Sequence, residues 1–280
     1  MYNTHQIKEI IKANDLFINK KLGQNFLIDK YKRDKLIDYC QIEKTDIVLE
    51  IGPGLGAITE AIVPFANKLV CIEKDRGFSK ILEKNFFDKD NIEIINKDIL
   101  KFDLSLLGYN RIKVIGNLPY YITSSIIFHL LNYKDIIDSI FITIQKEVAE
   151  RIIAKKSSKE YGVLSCGLQY HCDCKILEKL PKGLFFPRPD VDSSFLRLKV
   201  LKKPSVKVKD EELLFKVIKS AFNQRRKTLF NSLSKSPLME IDKDILFKAF
   251  NLSGFDRNVR GEKLGLSEFG LLSDHLSSLH

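Results

Sequence analysis

Between residues 46 and 200 the chain alternates short, β-branched apolar runs with stretches whose apolar positions recur every three to four residues. The runs at 47–51, 68–73, 92–96, 112–116 and 139–145 have the length of strands and are rich in Ile and Val. The stretches 55–65, 75–87, 123–132 and 146–155 carry helical spacing. Strands joined through helices run parallel, because each crossover returns the chain to the end from which it left. Runs at 174–180 and 194–200 close the series. Their connection holds Pro181, Gly183, Pro187 and Pro189 and no helical pattern, so this pair is free to run antiparallel. The expected fold class is α/β, a doubly wound, mostly parallel sheet of seven strands.

Residues 202–207 read as a linker, after which the spacing turns wholly helical: Leu213, Leu214, Val217, Ile218 and Ala221, then Leu229 and Leu233, then 245–250 and 269–276. Two domains are expected, 1–201 and a small all-helical 202–280. No internal repeat or low-complexity segment interrupts them.

Composition changes this picture only at the margins. The 280 residues, 44% of them hydrophobic and 29% charged, suit a globular protein. A net charge of +10 favours a polyanionic partner, although the same lysines also serve solubility. Five scattered cysteines, and a start without an apolar leader, fit a reducing cytoplasm. Nothing approaches the ~18 consecutive apolar residues that cross a bilayer, and Glu9 and Asp15 speak against an organelle transit peptide, so no membrane partner is expected. His171-Cys172-Asp173-Cys174 invites a metal reading, but an extended segment puts both thiols on one face with no second pair near; no metal is expected.

The first candidate chemistry lies where strands end. Gly52, Gly54 and Gly56 follow the first strand, where a missing Cβ lets backbone approach a ligand. The letters also satisfy a dinucleotide fingerprint through Gly52, Gly54 and Ala57, so the loop alone does not separate NAD from S-adenosylmethionine. Glu73, ending the second strand, suits ribose hydroxyls in either case, or simply faces water. Asp98, after the third, suits an adenine amino group or the N-cap of a turn over 99–102.

Asn117-Leu118-Pro119-Tyr120 ends the fourth strand and decides between these cofactors. Proline fixes its own φ and holds the preceding residue extended, so an amide, a carbonyl turn and an aromatic ring converge on one point. Acceptors placed on an adenine N6 favour its pyramidal, nucleophilic form as a bond forms at nitrogen. A hydride-transfer enzyme has no evident use for such a set; a methyl acceptor does.

With these residues in place, the chain resembles the rRNA adenine N6,N6-dimethyltransferase family, closer to its small-subunit dimethyladenosine transferases than to its macrolide-resistance enzymes. The resemblance runs through residues 22–29, 50–56, 117–120, 145–151, 185–193, 221–229 and 260–264. It implies a Rossmann-like methyltransferase sheet, S-adenosylmethionine as cofactor, and two adjacent adenosines near the 3′ end of small-subunit rRNA as substrate. By the same resemblance Asn25 and Leu27 cover the cofactor, Gly52 lies under its methionine part with Gly54 also at the cofactor, Glu73 holds the ribose and Asp98 the adenine amino group. Asn117 contacts cofactor and target amine, backed by Leu118 and Pro119, while Tyr120 and Phe185 stack on the two faces of the flipped adenine. Tyr121, where the family often has Asn, and Arg188, between the prolines, are departures on the substrate side.

Arg225, Arg226 and Lys227, at the start of a predicted helix, are candidate rRNA phosphate contacts with Arg188, Lys20, Lys21, Lys155 and Lys156, though a solvated helix face explains any one lysine as well. The expected partner is an immature small ribosomal subunit or its rRNA, met by a monomer. Two alternatives stay open: a large-subunit rRNA methyltransferase, and a non-catalytic ribosome-assembly factor on the same fold.

Overall fold

The computed structural model describes residues 2–18 and 24–279. The chain forms two compact units, Met1–Ala149 with Lys175–Val200, and Glu150–Cys174 with Leu201–His280. A boundary at 201 alone therefore misassigns 150–174. Those residues belong with the helices because Ala154, Tyr161, Cys166 and Tyr170 are buried in one core with Leu214, Val217, Leu246 and Phe269.

In the first unit, helix α1 (Thr4–Ala13), strand β1 (Phe26–Leu27) and helix α2 (Lys30–Cys40) precede β2 (Ile47–Ile51), α3 (Thr59–Ile62), β3 (Lys68–Glu73), α4 (Arg76–Asn85) and β4 (Ile92–Asn96). There follow β5 (Ile112–Asn117), α5 (Thr123–Leu131), β6 (Ile137–Gln145) and α6 (Lys146–Ile152). After α7 (Val163–His171), β7 (Cys172–Leu180), β8 (Phe185–Phe186) and β9 (Ser193–Val200) complete the strands. The seven-stranded sheet has the order β4-β3-β2-β5-β6-β9-β7. From β4 to β6 the strands run parallel. β9 then runs antiparallel to β6, with Ile140 opposite Leu198 and Ile142 opposite Leu196. The chain moves outward from β2 in both directions, and ligands of such sheets lie at this reversal, outside the strands' carboxyl ends.

Local chemistry explains the elements. Asp29 caps α2 through Lys32 N, and Asp75 caps α4 through Gly77 N and Phe78 N. The helix expected over 55–65 shrinks to Thr59–Ile62, because Gly54 and Gly56 hold φ of +58° and +83°, outside helical geometry. α1, α2 and α7 go beyond the sequence expectation. α2 is so rich in charge that few apolar positions reveal its period, and in α7 Gly167 breaks the apolar pattern although the helix runs through it.

The second unit continues with α8 (Glu211–Asn223), α9 (Leu229–Ser234), α10 (Lys243–Ser253) and α11 (Leu266–Leu279). Asp210, Thr228 and Asp242 cap α8, α9 and α10. Phe230 and Phe250 meet edge to face at 5.3 Å in its core. Among the described residues no helix is long and apolar enough to cross a membrane.

Candidate active site at the carboxyl ends of the parallel strands

One cleft is lined by the residues that leave β2, β3, β4 and β5: Gly52 and Gly54, Glu73 and Lys74, Asp98 and Ile99, Asn117 and Pro119. Asn25 and Leu27 close it from the amino-terminal side. β1 reaches this place by pairing antiparallel with β8, Phe26 opposite Phe186 and Leu27 opposite Phe185. The Phe26 ring then lies where a Cβ on Gly54 would approach to 2.9 Å, so glycine is needed there for space as well as for φ. A Cβ on Gly52 would meet nothing within 4 Å, which leaves room for a ligand against that backbone.

The carboxylates are held by their surroundings. Glu73 is 7% exposed, and its two oxygens accept from Gly54 N (3.0 Å) and Asp75 N (2.8 Å). Burial raises its pKa against the pull of those two amides. Asp98 uses one oxygen to cap the turn at Leu100 N (3.0 Å) and the other to meet Lys74 Nζ (2.9 Å). Partial burial opposes its ionisation, but the Lys74 and Leu100 hydrogen bonds outweigh it and hold the carboxyl below its usual range.

Glu50 also lines this cleft, and sequence reasoning passed over it as part of a loop motif. It is 1% exposed; Thr59 Oγ1 donates to it at 2.7 Å and Cys71 Sγ at 3.6 Å. Burial pushes its pKa up to about 7 despite those donors, and the neighbouring Glu73 charge adds to the rise. An acid inside the apolar run Ile47–Ile51 was the available signal.

Asn117 ends β5 with its Nδ2 donating to the Asn25 carbonyl at 2.6 Å, so the amide has a set orientation with Oδ1 left as acceptor. Leu118 is buried and donates its N–H to Thr143 O (3.1 Å), and the Pro119 carbonyl accepts from Thr123 Oγ1 (3.1 Å). This turn is braced at three successive residues.

The aromatic pair is placed differently from expectation. The Tyr120 hydroxyl is tied to Ser193 Oγ at 2.7 Å, and burial raises its pKa. Phe185 is 3% exposed in the core with Leu27, Leu36 and Leu180, because its strand pairing with Leu27 turns it inward. Of Tyr120, Tyr121 and Phe185, it is Tyr121, 56% exposed, that lines the cleft. Arg188 is exposed. Arg225, Arg226 and Lys227 occupy the turn between α8 and α9, not a helix start, since Thr228 is the cap of α9. Arg225 is engaged there by Lys159 O (2.8 Å) and Glu262 (3.5 Å). Lys20, Lys21, Leu22 and Gly23 lie outside the described residues. Among the described residues no cluster of His, Cys, Asp and Glu is arranged to hold a metal.

A model of the ribosomal RNA adenine dimethylase family matches residues 16–249. The chain belongs to that family. As a ribosomal RNA adenine dimethylase it is a methyltransferase with the Rossmann-like sheet of its relatives. It is 45% identical over 269 residues to the ribosomal RNA small subunit methyltransferase A of Clostridium botulinum, covering 95% of this chain and 97% of that protein. The protein of the same name from Clostridium acetobutylicum is 44% identical over 277 residues, 98% of each chain. Among solved structures, a dimethyladenosine transferase from Plasmodium falciparum has a TM-score of 0.78 at 23% identity, covering 88% of this chain and 95% of that one. The 23S rRNA methyltransferase ErmE has a TM-score of 0.69 at 23% identity, covering 90% and 99%. At that identity the two structures speak to fold alone.

Proposed function

We propose that this dimethylase uses S-adenosylmethionine to place two methyl groups on N6 of each of two adjacent adenosines in the 3′-terminal hairpin loop of small-subunit rRNA, acting in the cytoplasm as a monomer on an immature small subunit. The observation that carries the reading is the Asn117 amide, oriented by the Asn25 carbonyl over a cleft where four strand ends converge. The cleft suits the cofactor: open backbone at Gly52, an acceptor-only carboxylate at Glu73, a second at Asp98, and apolar walls at Ile51, Ile72, Ile99 and Ile122.

When bound, S-adenosylmethionine supplies a methyl group already made electrophilic by a cationic sulfur. The chain's task is then alignment and electrostatics. Gly52 and Gly54 admit the methionine part, Glu73 accepts from ribose hydroxyls, and Asp98 accepts from the cofactor's adenine amino group in competition with Lys74. Asn25 and Leu27 exclude water from above. Asn117 Oδ1 and the carbonyl at Leu118 accept from the target amine, raising its lone pair toward the methyl group, and Pro119 keeps that turn rigid. No strong base is needed, since nitrogen that has gained a methyl group sheds its proton to water. Tyr120, pinned by Ser193, offers one face for the extruded adenine, whose unstacking costs about a few kcal/mol. Phe185 packs with Leu27 in this reading, and Tyr121 is an exposed ring at the cleft wall.

The small-subunit target is favoured over the large-subunit one by near-full-length relatives at 45% and 44% identity. An enzyme is favoured over a pure binder by the intact Glu73, Asp98 and Asn117. The deciding experiment incubates labelled methyl donor with immature small subunits, large-subunit rRNA and DNA, then maps the label. Two adjacent labelled adenosines in the small subunit are expected; label confined to large-subunit rRNA, or none, overturns the proposal.

A further inference from the structure

The guanidinium of Arg257 lies 4.4 Å from the ring centroid of Phe230 and 4.9 Å from that of Phe247. Both distances are within cation–π range, and two rings hold a planar group far better than one. Phe230 is 8% exposed and belongs to the helical core, so this anchor is rigid; Phe247, 40% exposed, reaches out from α10. Arg257 itself is exposed in the turn after α10. Among the described residues no carboxylate lies within ion-pair distance of it, and the adjacent Asp256 is occupied in capping Asn258 N at 2.8 Å.

An unpaired, exposed arginine ordinarily pays conformational entropy when it meets a ligand. Arg257 has its side chain already held by two rings, and among the described residues none of its N–H groups is hydrogen-bonded. Arg225, by contrast, already spends N–H donors on Lys159 O and Glu262. The surrounding unit favours anions: residues 150–174 and 201–280 hold nineteen Lys and Arg against thirteen Asp and Glu, six of the chain's ten excess charges. We infer that Arg257, braced by Phe230 and Phe247, is a preorganised phosphate clamp through which the helical unit grips the RNA backbone. A planar fork of donors matches two phosphate oxygens at once, which an ammonium does not.

This inference rests on the RNA substrate proposed above, and the test separates the two. Binding of small-subunit rRNA carrying the 3′ hairpin is measured from 50 to 200 mM salt for the parent, Arg257→Ala, Arg257→Lys and Phe247→Leu, beside methyl transfer by the parent. Arg257→Ala is expected to weaken binding about five- to tenfold and to flatten the log K against log salt slope by roughly 0.7–0.9, one phosphate's worth. Arg257→Lys keeps the charge and most of the slope but loses affinity, and Phe247→Leu weakens binding although no charge is changed. KM for the methyl donor stays unchanged throughout. A parent that methylates adenosine, paired with an Arg257→Lys or Arg257→Ala variant of unaltered affinity and slope, overturns the clamp and spares the function; a parent that methylates no rRNA removes the function itself.

Discussion

In the sheet unit the functional polar groups are wholly or partly buried and answered by neighbouring backbone and side-chain groups, whereas in the helical unit they stand on exposed turns over an apolar core. Glu73 takes two amides, Glu50 takes a hydroxyl and a thiol, and Asn117 gives its N–H to a carbonyl. Around Arg226, Lys227 and Arg257 the side chains are exposed, and the helices beneath contribute shape. The difference is the one that the two proposed ligands call for. A small cofactor is selected by desolvated, oriented groups, while a polyanion is gathered by solvated charge. Damage to one unit should therefore leave the other's ligand bound.

The largest expected effect is on the helical core. Phe250→Ala removes a fully buried ring that packs on Phe230 and Phe255, and should cost about 3–5 kcal/mol of stability. RNA affinity should fall while methyl-donor binding persists; calorimetry on the same sample reads both, and a parallel loss of donor binding would show that the units are not separable. Next comes Asn117→Ala, which should lower the transfer rate roughly 100- to 1000-fold with RNA affinity intact, since one oriented acceptor is worth about 3–4 kcal/mol in the transition state. Single-turnover rates near the parent's would remove Asn117 from the reaction.

Glu50→Gln tests the buried acid through pH. Its pKa of about 7, against an ordinary 4.5, means that the folded unit prefers the protonated form. That contribution is full below pH 4.5 and is lost as pH rises through 7, up to roughly 3 kcal/mol. The glutamine stays neutral, so the stability difference should move in the variant's favour between pH 5 and 8. Parallel melting profiles would place the acid in contact with water or an unseen donor. The smallest change is Gly54→Ala, which strains φ of +58° and crowds Phe26, costing about 1–2 kcal/mol. Its signature is a raised KM for the methyl donor without a change in the RNA salt slope; an unchanged KM would detach the loop from the cofactor.

Much of this was legible from local pattern. Strands 47–51, 68–73 and 92–96 stand where alternation and β-branching put them, and Asp98 performs the capping that its position before a short turn implies. Three helices escaped, because α1, α2 and α7 are charged or broken in apolar pattern and draw their stability from what they pack against. Ile7 of α1, for example, is 1% exposed against Phe78 and Ile81 of α4.

Side-chain direction was the harder part. A motif says that Phe185 is aromatic, but the pairing of Leu27 with Phe185 turns that ring into the core and leaves Tyr121 at the cleft. A basic triplet reads as three equal charges, yet one of them is already committed within its own unit.

By itself the amino-acid sequence determined the alternation of strands and helices, the glycine loop, the acids at the strand ends and the Asn-Leu-Pro-Tyr turn, since these depend on neighbours a few residues apart. Only the tertiary structure decided that β9 enters between β6 and β7, that residues 150–174 join the helical core, that Glu50 is desolvated, and that Arg257 meets two rings from α9 and α10. Burial, ion pairing and ring contact are set by residues distant in the chain, and no local period encodes which of them will meet.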